Sequence, residues 1–201
     1  AYTAVDKAES ELNVAKTINT DAVGMLAEEA KTLSALLVHY STDYVFDGSG
    51  TKPWVENDVT GPLSNYGKTK LDGEKAIVAS GCKYLIFRTS WVYGKQGNNF
   101  AKTILRLAGE RESLNIINDQ FGAPTGADLI AEVTVNAIEQ TLRNPKLQGL
   151  YHLAPQGECS WYDYANLVIE TAKSNGMALK CQEILPIPTE QYPTPAKRPL
   201  N

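Results

Sequence analysis

Two short apolar runs, Leu36-Leu37-Val38-His39-Tyr40 and Tyr84-Leu85-Ile86-Phe87-Arg88, bracket a helix-forming stretch over 66–79, and this arrangement limits the fold more than any other feature. Each run is strand-sized and apolar at successive positions, as in a strand buried on both faces. The stretch between them stops at Gly81, a helix C-terminal signal. Strand, helix and strand in that order make a βαβ unit and call for a parallel sheet. Upstream, residues 10–35 have helical composition, with Leu12, Ala15, Ile18, Ala22, Met25, Leu26 and Ala30 near a 3.6 period. Downstream, the pattern predicts helices over 100–109, 127–142 and 161–174 and short strands over 114–117 and 150–153.

Composition narrows the function classes. A net charge of −4 with no basic block argues against nucleic acid as the main partner. No apolar run approaches the roughly 18 residues that a membrane helix needs. Three widely spaced cysteines, Cys82, Cys159 and Cys181, form no C-x-x-C and read as reduced thiols of a cytoplasmic protein. Two histidines, His39 and His152, are too few for a multi-histidine metal site, and no metal ligands are assigned.

Ligands on open parallel sheets bind beyond the carboxyl ends of the strands. Ser41, Thr42 and Asp43 follow the first run; Thr89, Ser90 and Trp91 follow the second; Tyr66 and Lys70 open the helix between them. The i, i+4 spacing puts Tyr66 and Lys70 on one helical face. A phenol with a pKa near 10 is a poor proton shuttle near neutrality, and a neighbouring ammonium lowers that value by favouring the phenolate. A hydroxyl such as that of Thr42 can hold a carbonyl against the phenol. Together they are what hydride transfer to a ketone needs beyond the hydride donor. Tyr-x-x-x-Lys alone is weak, since ten tyrosines give about 0.7 chance matches. Its place inside a βαβ unit, after a strand ending in Ser-Thr, gives it weight.

Three strings carry a family resemblance: His39-Tyr40-Ser41-Thr42-Asp43-Tyr44-Val45-Phe46-Asp47-Gly48, then Pro62-Leu63-Ser64-Asn65-Tyr66-Gly67-Lys68-Thr69-Lys70-Leu71-Asp72-Gly73-Glu74, then Arg88-Thr89-Ser90-Trp91-Val92-Tyr93-Gly94. Supporting strings are Thr3–Glu9, Asn118–Thr125 and Pro193–Pro199. In this order they resemble the extended short-chain dehydrogenase/reductases, in the branch that acts on dTDP-linked 4-keto sugars. The resemblance implies an α/β fold, a Rossmann-type parallel sheet with a smaller α/β substrate lobe. It implies a partial nucleotide-binding domain over 1–97 and a mainly substrate-binding lobe over 98–201, with segments returning to the first domain. It implies NADPH- or NADH-dependent reduction of dTDP-4-dehydro-6-deoxy-L-mannose to dTDP-L-rhamnose. In it, Tyr66 is the proton donor, Lys70 lowers its pKa and binds the nicotinamide ribose, and Thr42 holds the keto oxygen. Asp43, Trp91 and Asn99 join Thr42 in binding substrate, while Ala1, Tyr2 and Thr3, with Tyr66 and Lys70, touch the cofactor. The family can form a homodimer bridged by magnesium, and carboxylates such as Glu9 and Glu132 are candidates for that role. The glycine-rich phosphate loop of the family is expected before Ala1, so this stretch reads as an internal piece holding half of a cofactor site.

Two rival readings come with the resemblance. A nucleotide-sugar epimerase or dehydratase would share Thr42, Tyr66 and Lys70 but lack the Asn118–Thr125 string. The regulatory subunit of methionine adenosyltransferase resembles the same reductases and acts by binding a partner. Several residues have two readings. Asn99 is a substrate contact or a helix N-cap. Gln120 and Thr125 bind substrate or brace their loop. Arg198 meets a diphosphate or belongs to a solvated tail. His39 and His152 read as core histidines, and Trp54 and Trp161 as packing rather than stacking residues.

Overall fold

The computed structural model describes residues 1–201 and divides into two compact units. The first comprises Ala1–Thr89, Ile130–Ala154 and Thr194–Pro199; the second comprises Ser90–Leu129, Pro155–Pro193 and Leu200–Asn201. The chain thus first passes from one unit to the other at Thr89/Ser90.

In the first unit, β1 (Leu36–Thr42), β2 (Lys83–Thr89) and β7 (Gly149–His152) form a parallel sheet in the order β1-β2-β7. The β1–β2 register pairs Leu36 with Lys83 and Thr42 with Thr89, so the two strands end level. Their connection is helix α3 (Asn65–Ser80), which completes the expected βαβ unit. Helices α1 (Leu12–Lys16) and α2 (Ala22–Thr32), joined by a π-helical turn over Thr17–Asp21, fill the expected helical region before β1. Alternation along the strands separates two apolar clusters. Leu37 and Ile86 pack with Ala27, Ala30 and Ile77 of α2 and α3. Leu36, Val38, Leu85 and Phe87 pack with Ile130, Ala137 and Ile138 of α5 (Ala127–Arg143). Strand β2 is accordingly buried on both faces and β1 lies at the sheet edge.

The second unit is built around β4 (Ser113–Ile117), α4 (Phe100–Glu110) and α6 (Trp161–Ser174), whose Ile104, Ala108, Leu114, Ile116, Ala165 and Ile169 share one cluster. A capping box sets the start of α6: Ser160 Oγ accepts the Asp163 N–H at 3.0 Å and Asp163 Oδ2 accepts the Ser160 N–H at 2.9 Å. Strand β9 (Glu183–Ile187) pairs parallel with β4 and has no counterpart in the sequence reading. Its Pro186 sits opposite Ile116, and a proline inside five residues masks a strand; an edge position tolerates it. Two-residue pairs complete the unit, β3 (Val92–Tyr93) with β6 (Thr125–Gly126) and β5 (Phe121–Gly122) with β8 (Cys159–Ser160).

Arg88 of β2 and Glu74 of α3 form a bidentate pair, Nε to Oε1 at 3.0 Å and Nη2 to Oε2 at 2.7 Å, with side chains 6% and 4% exposed. Removing one partner of such a pair leaves a buried charge uncompensated, which costs about 3–5 kcal/mol. Glu74→Ala is expected to lower the unfolding free energy by that order, read as a fall in the urea midpoint. A midpoint unchanged from wild type would show that Arg88 finds another partner.

Candidate active site

The site grows from the N-terminal turn of α3. Ser64 caps the helix, its Oγ accepting the Gly67 N–H at 3.2 Å. Gly67 approaches the Tyr44 carbonyl so closely that a Cβ there would collide with the oxygen, so only glycine lets the helix seat on the 3-10 turn Asp43–Val45. That seating brings Tyr66 edge-on to Tyr44, with ring centroids 5.5 Å apart at 81°. Thr42 ends β1 beside them. Its Oγ1 donates to Asp43 Oδ1 at 2.9 Å and accepts the Tyr44 N–H at 3.2 Å, close to the Tyr66 phenol.

Burial dominates the electrostatics. It pushes the Tyr66 phenol up to about 12, the Asp43 charge raises it further, and the Thr42 hydroxyl pulls the other way. Burial likewise pushes the Asp43 carboxyl up to about 6 against the hydrogen bonds from Thr42 and the backbone. The Lys70 ammonium, 2% exposed, is pushed down to about 8 by burial, with Glu74 opposing. One expectation is corrected here: the Tyr66 phenol stands above its ordinary value rather than below it, and it accepts no hydrogen bond from Lys70. Lys70 Nζ instead donates to the Tyr40 carbonyl at 2.6 Å and lies 3.2 Å from His39 Nε2.

The segment Ala1-Tyr2-Thr3 is tied to the same helix. Asn19, 1% exposed, accepts the Tyr2 N–H on Oδ1 at 2.9 Å and donates from Nδ2 to the Tyr2 carbonyl at 3.0 Å. The same Nδ2 lies 3.4 Å from Thr69 Oγ1, next to Lys70. Asn19 was missed in the sequence, although an asparagine inside a helical stretch is a signal, and here it sits in the π-helical turn, a recurrent feature of functional sites. Tyr44 was missed as well; its neighbours gave no pattern that sets it apart. The Tyr2 phenol donates to Glu11 Oε2 at 2.6 Å, and that bond pushes it up to about 12.

Arg198 is neither a solvated tail nor an isolated guanidinium. It holds Asp6 at 2.8 and 3.1 Å and keeps that carboxyl below the usual carboxylate range. His152 packs edge-on to Phe46, and Trp54 stacks on the same ring at 4.6 Å.

In the second unit, Trp91 adopts φ 46°, a left-handed backbone that bulky residues rarely accept. Its indole stacks on Trp161 at 3.4 Å and 9°, so Trp161, like Trp54, packs against another ring of the protein. Gly122 backs the Trp91 ring edge, where a Cβ would come within 2.6 Å of Cε2. Trp161 Nε1 donates to Gln120 Oε1 at 3.1 Å, and Gln120 Nε2 donates to Thr189 Oγ1 at 3.1 Å, so Gln120 braces this stack. Thr125 Oγ1 donates to the Ala123 carbonyl at 3.0 Å. Asn99 caps α4, accepting the Lys102 N–H at 3.1 Å and donating to the Gly94 carbonyl at 2.8 Å.

The donor set suits a nicotinamide dinucleotide. Two buried hydroxyls at the carboxyl ends of the strands, Ser41 Oγ and Thr89 Oγ1, have no partner, and one N–H of the Lys70 ammonium is left over. Magnesium finds no comparable set: no three His, Cys, Asp or Glu side chains converge, and Glu9 Oε1 accepts the Asn65 N–H at 2.9 Å.

A parallel sheet with a phenol, a hydroxyl and an ammonium gathered at the carboxyl ends of its strands defines a Rossmann-type oxidoreductase. Comparison with known proteins agrees. The model of the RmlD substrate binding domain family matches residues 1–201. The dTDP-4-dehydrorhamnose reductase of Escherichia coli K12 is 56% identical over 201 residues, all of this chain and 67% of the relative. The crystal structure of a dTDP-4-dehydrorhamnose reductase from Clostridium acetobutylicum superposes with a TM-score of 0.91 at 40% identity, over 100% of this chain and 67% of that one. The Bacillus anthracis reductase, solved in complex with NADP, gives 0.88 at 38% identity over the same shares. The chain belongs to the RmlD substrate binding domain family, that of the dTDP-4-dehydrorhamnose reductases.

The Asp43 pKa sets a stability signature. A folded-state value of about 6, above the ordinary 3.8, means the contribution is complete below the lower value and is lost as pH rises through the higher one. The ionised carboxyl then costs up to about 3 kcal/mol. Asp43→Asn removes that cost. It is expected to stabilise the protein relative to wild type at about pH 8 and to lose the advantage near pH 4, measured by urea unfolding. A constant difference between the two proteins across that range would show that Asp43 titrates at an ordinary value.

Proposed function

We propose that the protein carrying this chain reduces the 4-keto group of dTDP-4-dehydro-6-deoxy-L-mannose, giving dTDP-L-rhamnose. The observation that carries the reading is the placing of Thr42, at the end of β1, beside Tyr66 at the start of α3, with Lys70 one helical turn further on, in a chain whose relatives bear the reductase name.

NADPH or NADH, when bound, supplies the hydride that the carbonyl carbon takes up. Ala1-Tyr2-Thr3, Tyr66 and Lys70 are the residues assigned to hold it, and Asn19 fixes the Tyr2 backbone for that purpose. Tyr66 does the acid chemistry. With its phenol raised to about 12, it is fully protonated near neutrality and gives its proton to the keto oxygen as negative charge develops there. The loss of that proton is eased by the positive charge of Lys70, one turn along the same helical face. Thr42 has one proton and gives it to Asp43 in the structure; in the complex that proton turns to the keto oxygen, and Asp43 becomes free to accept a sugar hydroxyl. Trp91 is assigned to the sugar as a rigid apolar face, with Asn99 near the start of α4 as a further candidate.

Tyr66→Phe removes only the proton donor. It is expected to lower ketone reduction by about 10²–10⁴-fold, followed as loss of NADPH absorbance, with cofactor affinity nearly intact. Unchanged turnover would sink the mechanism. Trp91→Ala is expected to raise the KM for the dTDP-sugar by about tenfold or more while leaving that for the cofactor in place. Equal effects on both would make Trp91 a packing residue.

A further inference from the structure

His39 is a half-buried titratable group that the mechanism above leaves without a task. It lies on β1 two residues after Leu37, on the sheet face covered by α2 and α3. Its Nε2 is 3.2 Å from Lys70 Nζ, and the carbonyl of the next residue, Tyr40, accepts from the same Nζ at 2.6 Å. No carboxylate forms an ion pair with Lys70. Glu74, one turn further along α3, is held by Arg88 through both of its oxygens.

We propose that His39 is a positioning residue whose neutral imidazole, acting with the Tyr40 carbonyl, holds the Lys70 ammonium in place while leaving its charge uncompensated for a bound ligand. An ammonium has three donors and no acceptor, so Nζ donates and Nε2 accepts, which puts the imidazole proton on Nδ1. Burial, followed by the charge on Lys70, drives the His39 pKa down to about 3, so the ring stays neutral across the working range. Two donors of Lys70 are thereby directed to neutral acceptors in β1, and the third is free to meet a ligand. A buried charge needs its donors satisfied. An acceptor that carries negative charge would satisfy them too, but it would cancel the field that the proposed reaction uses at Tyr66. A neutral ring meets the first need without the second effect. The catalytic value of this arrangement rests on the reductase reading; the arrangement itself does not.

The test follows Lys70 in the protein labelled with [13C]lysine, its Cε signal assigned by its loss in Lys70→Arg and titrated with pH. Wild type is expected to titrate near 8. His39→Leu removes the acceptor and is expected to lower the midpoint by about one unit, because the ammonium loses a partner. His39→Gln keeps a neutral acceptor and should restore it to within a few tenths of a unit. His39→Glu should raise it by about one unit or more through an ion pair. A Leu variant titrating with wild type overturns the proposal. Should that variant not fold, Gln and Glu variants with the same midpoint overturn it equally. The two readings fail separately: a wrong reductase reading shows as full turnover in Tyr66→Phe while the Lys70 titration still responds to position 39.

Discussion

Helix α3 presents Tyr66, Lys70 and Glu74 along one stripe at successive turns, with Lys70 and Glu74 buried and Tyr66 half-buried. Burying two ionic groups so close together is tolerated only where each finds matched partners. Glu74 meets the planar fork of Arg88, whose guanidinium also lies 5.0 Å over the Phe46 ring. Because both oxygens and both nitrogens are engaged, the helix cannot rotate on β2 without breaking the pair. The rotation that Arg88 and Glu74 fix is the rotation that delivers Tyr66 to Thr42 and Lys70 to the Tyr40 carbonyl. Gly67 and Gly73 complete the constraint from the other side, since a side chain at either would strike the carbonyl of Tyr44 or Asn19.

The same burial shapes the charge state of the site. Tyr66, Asp43 and Lys70 are each moved toward their neutral forms, and desolvation is the largest cause in all three. The phenol that serves as acid is therefore kept protonated by its surroundings, and charge appears on it only while it reacts. The Thr42 hydroxyl opposes that trend at the Asp43 carboxyl, to which it gives its one proton. In the second unit a different device provides rigidity. The left-handed backbone at Trp91 is an unfavourable conformation, and the stack on Trp161, the close contact with Gly122 and the link to Gln120 hold it there.

The sequence by itself determined the βαβ unit, the parallel sheet and the residues at its carboxyl end, because these depend on period and order along the chain. Apolar runs flanking a capped helix leave one topology, and the i, i+4 spacing puts Tyr66 and Lys70 on one face whatever surrounds them. It also placed α6 to the residue, since its capping box is local. Strand β9 was not legible, because Pro186 hides the pattern and only pairing with β4 makes it a strand. What the tertiary structure alone decided is which partner each buried group has. Lys70 faces His39 and Tyr40 rather than the phenol, Arg198 faces Asp6 across most of the chain, and Trp161 lies on Trp91. Such contacts join residues far apart in sequence, and desolvation depends on everything packed around a group, so no local pattern encodes them.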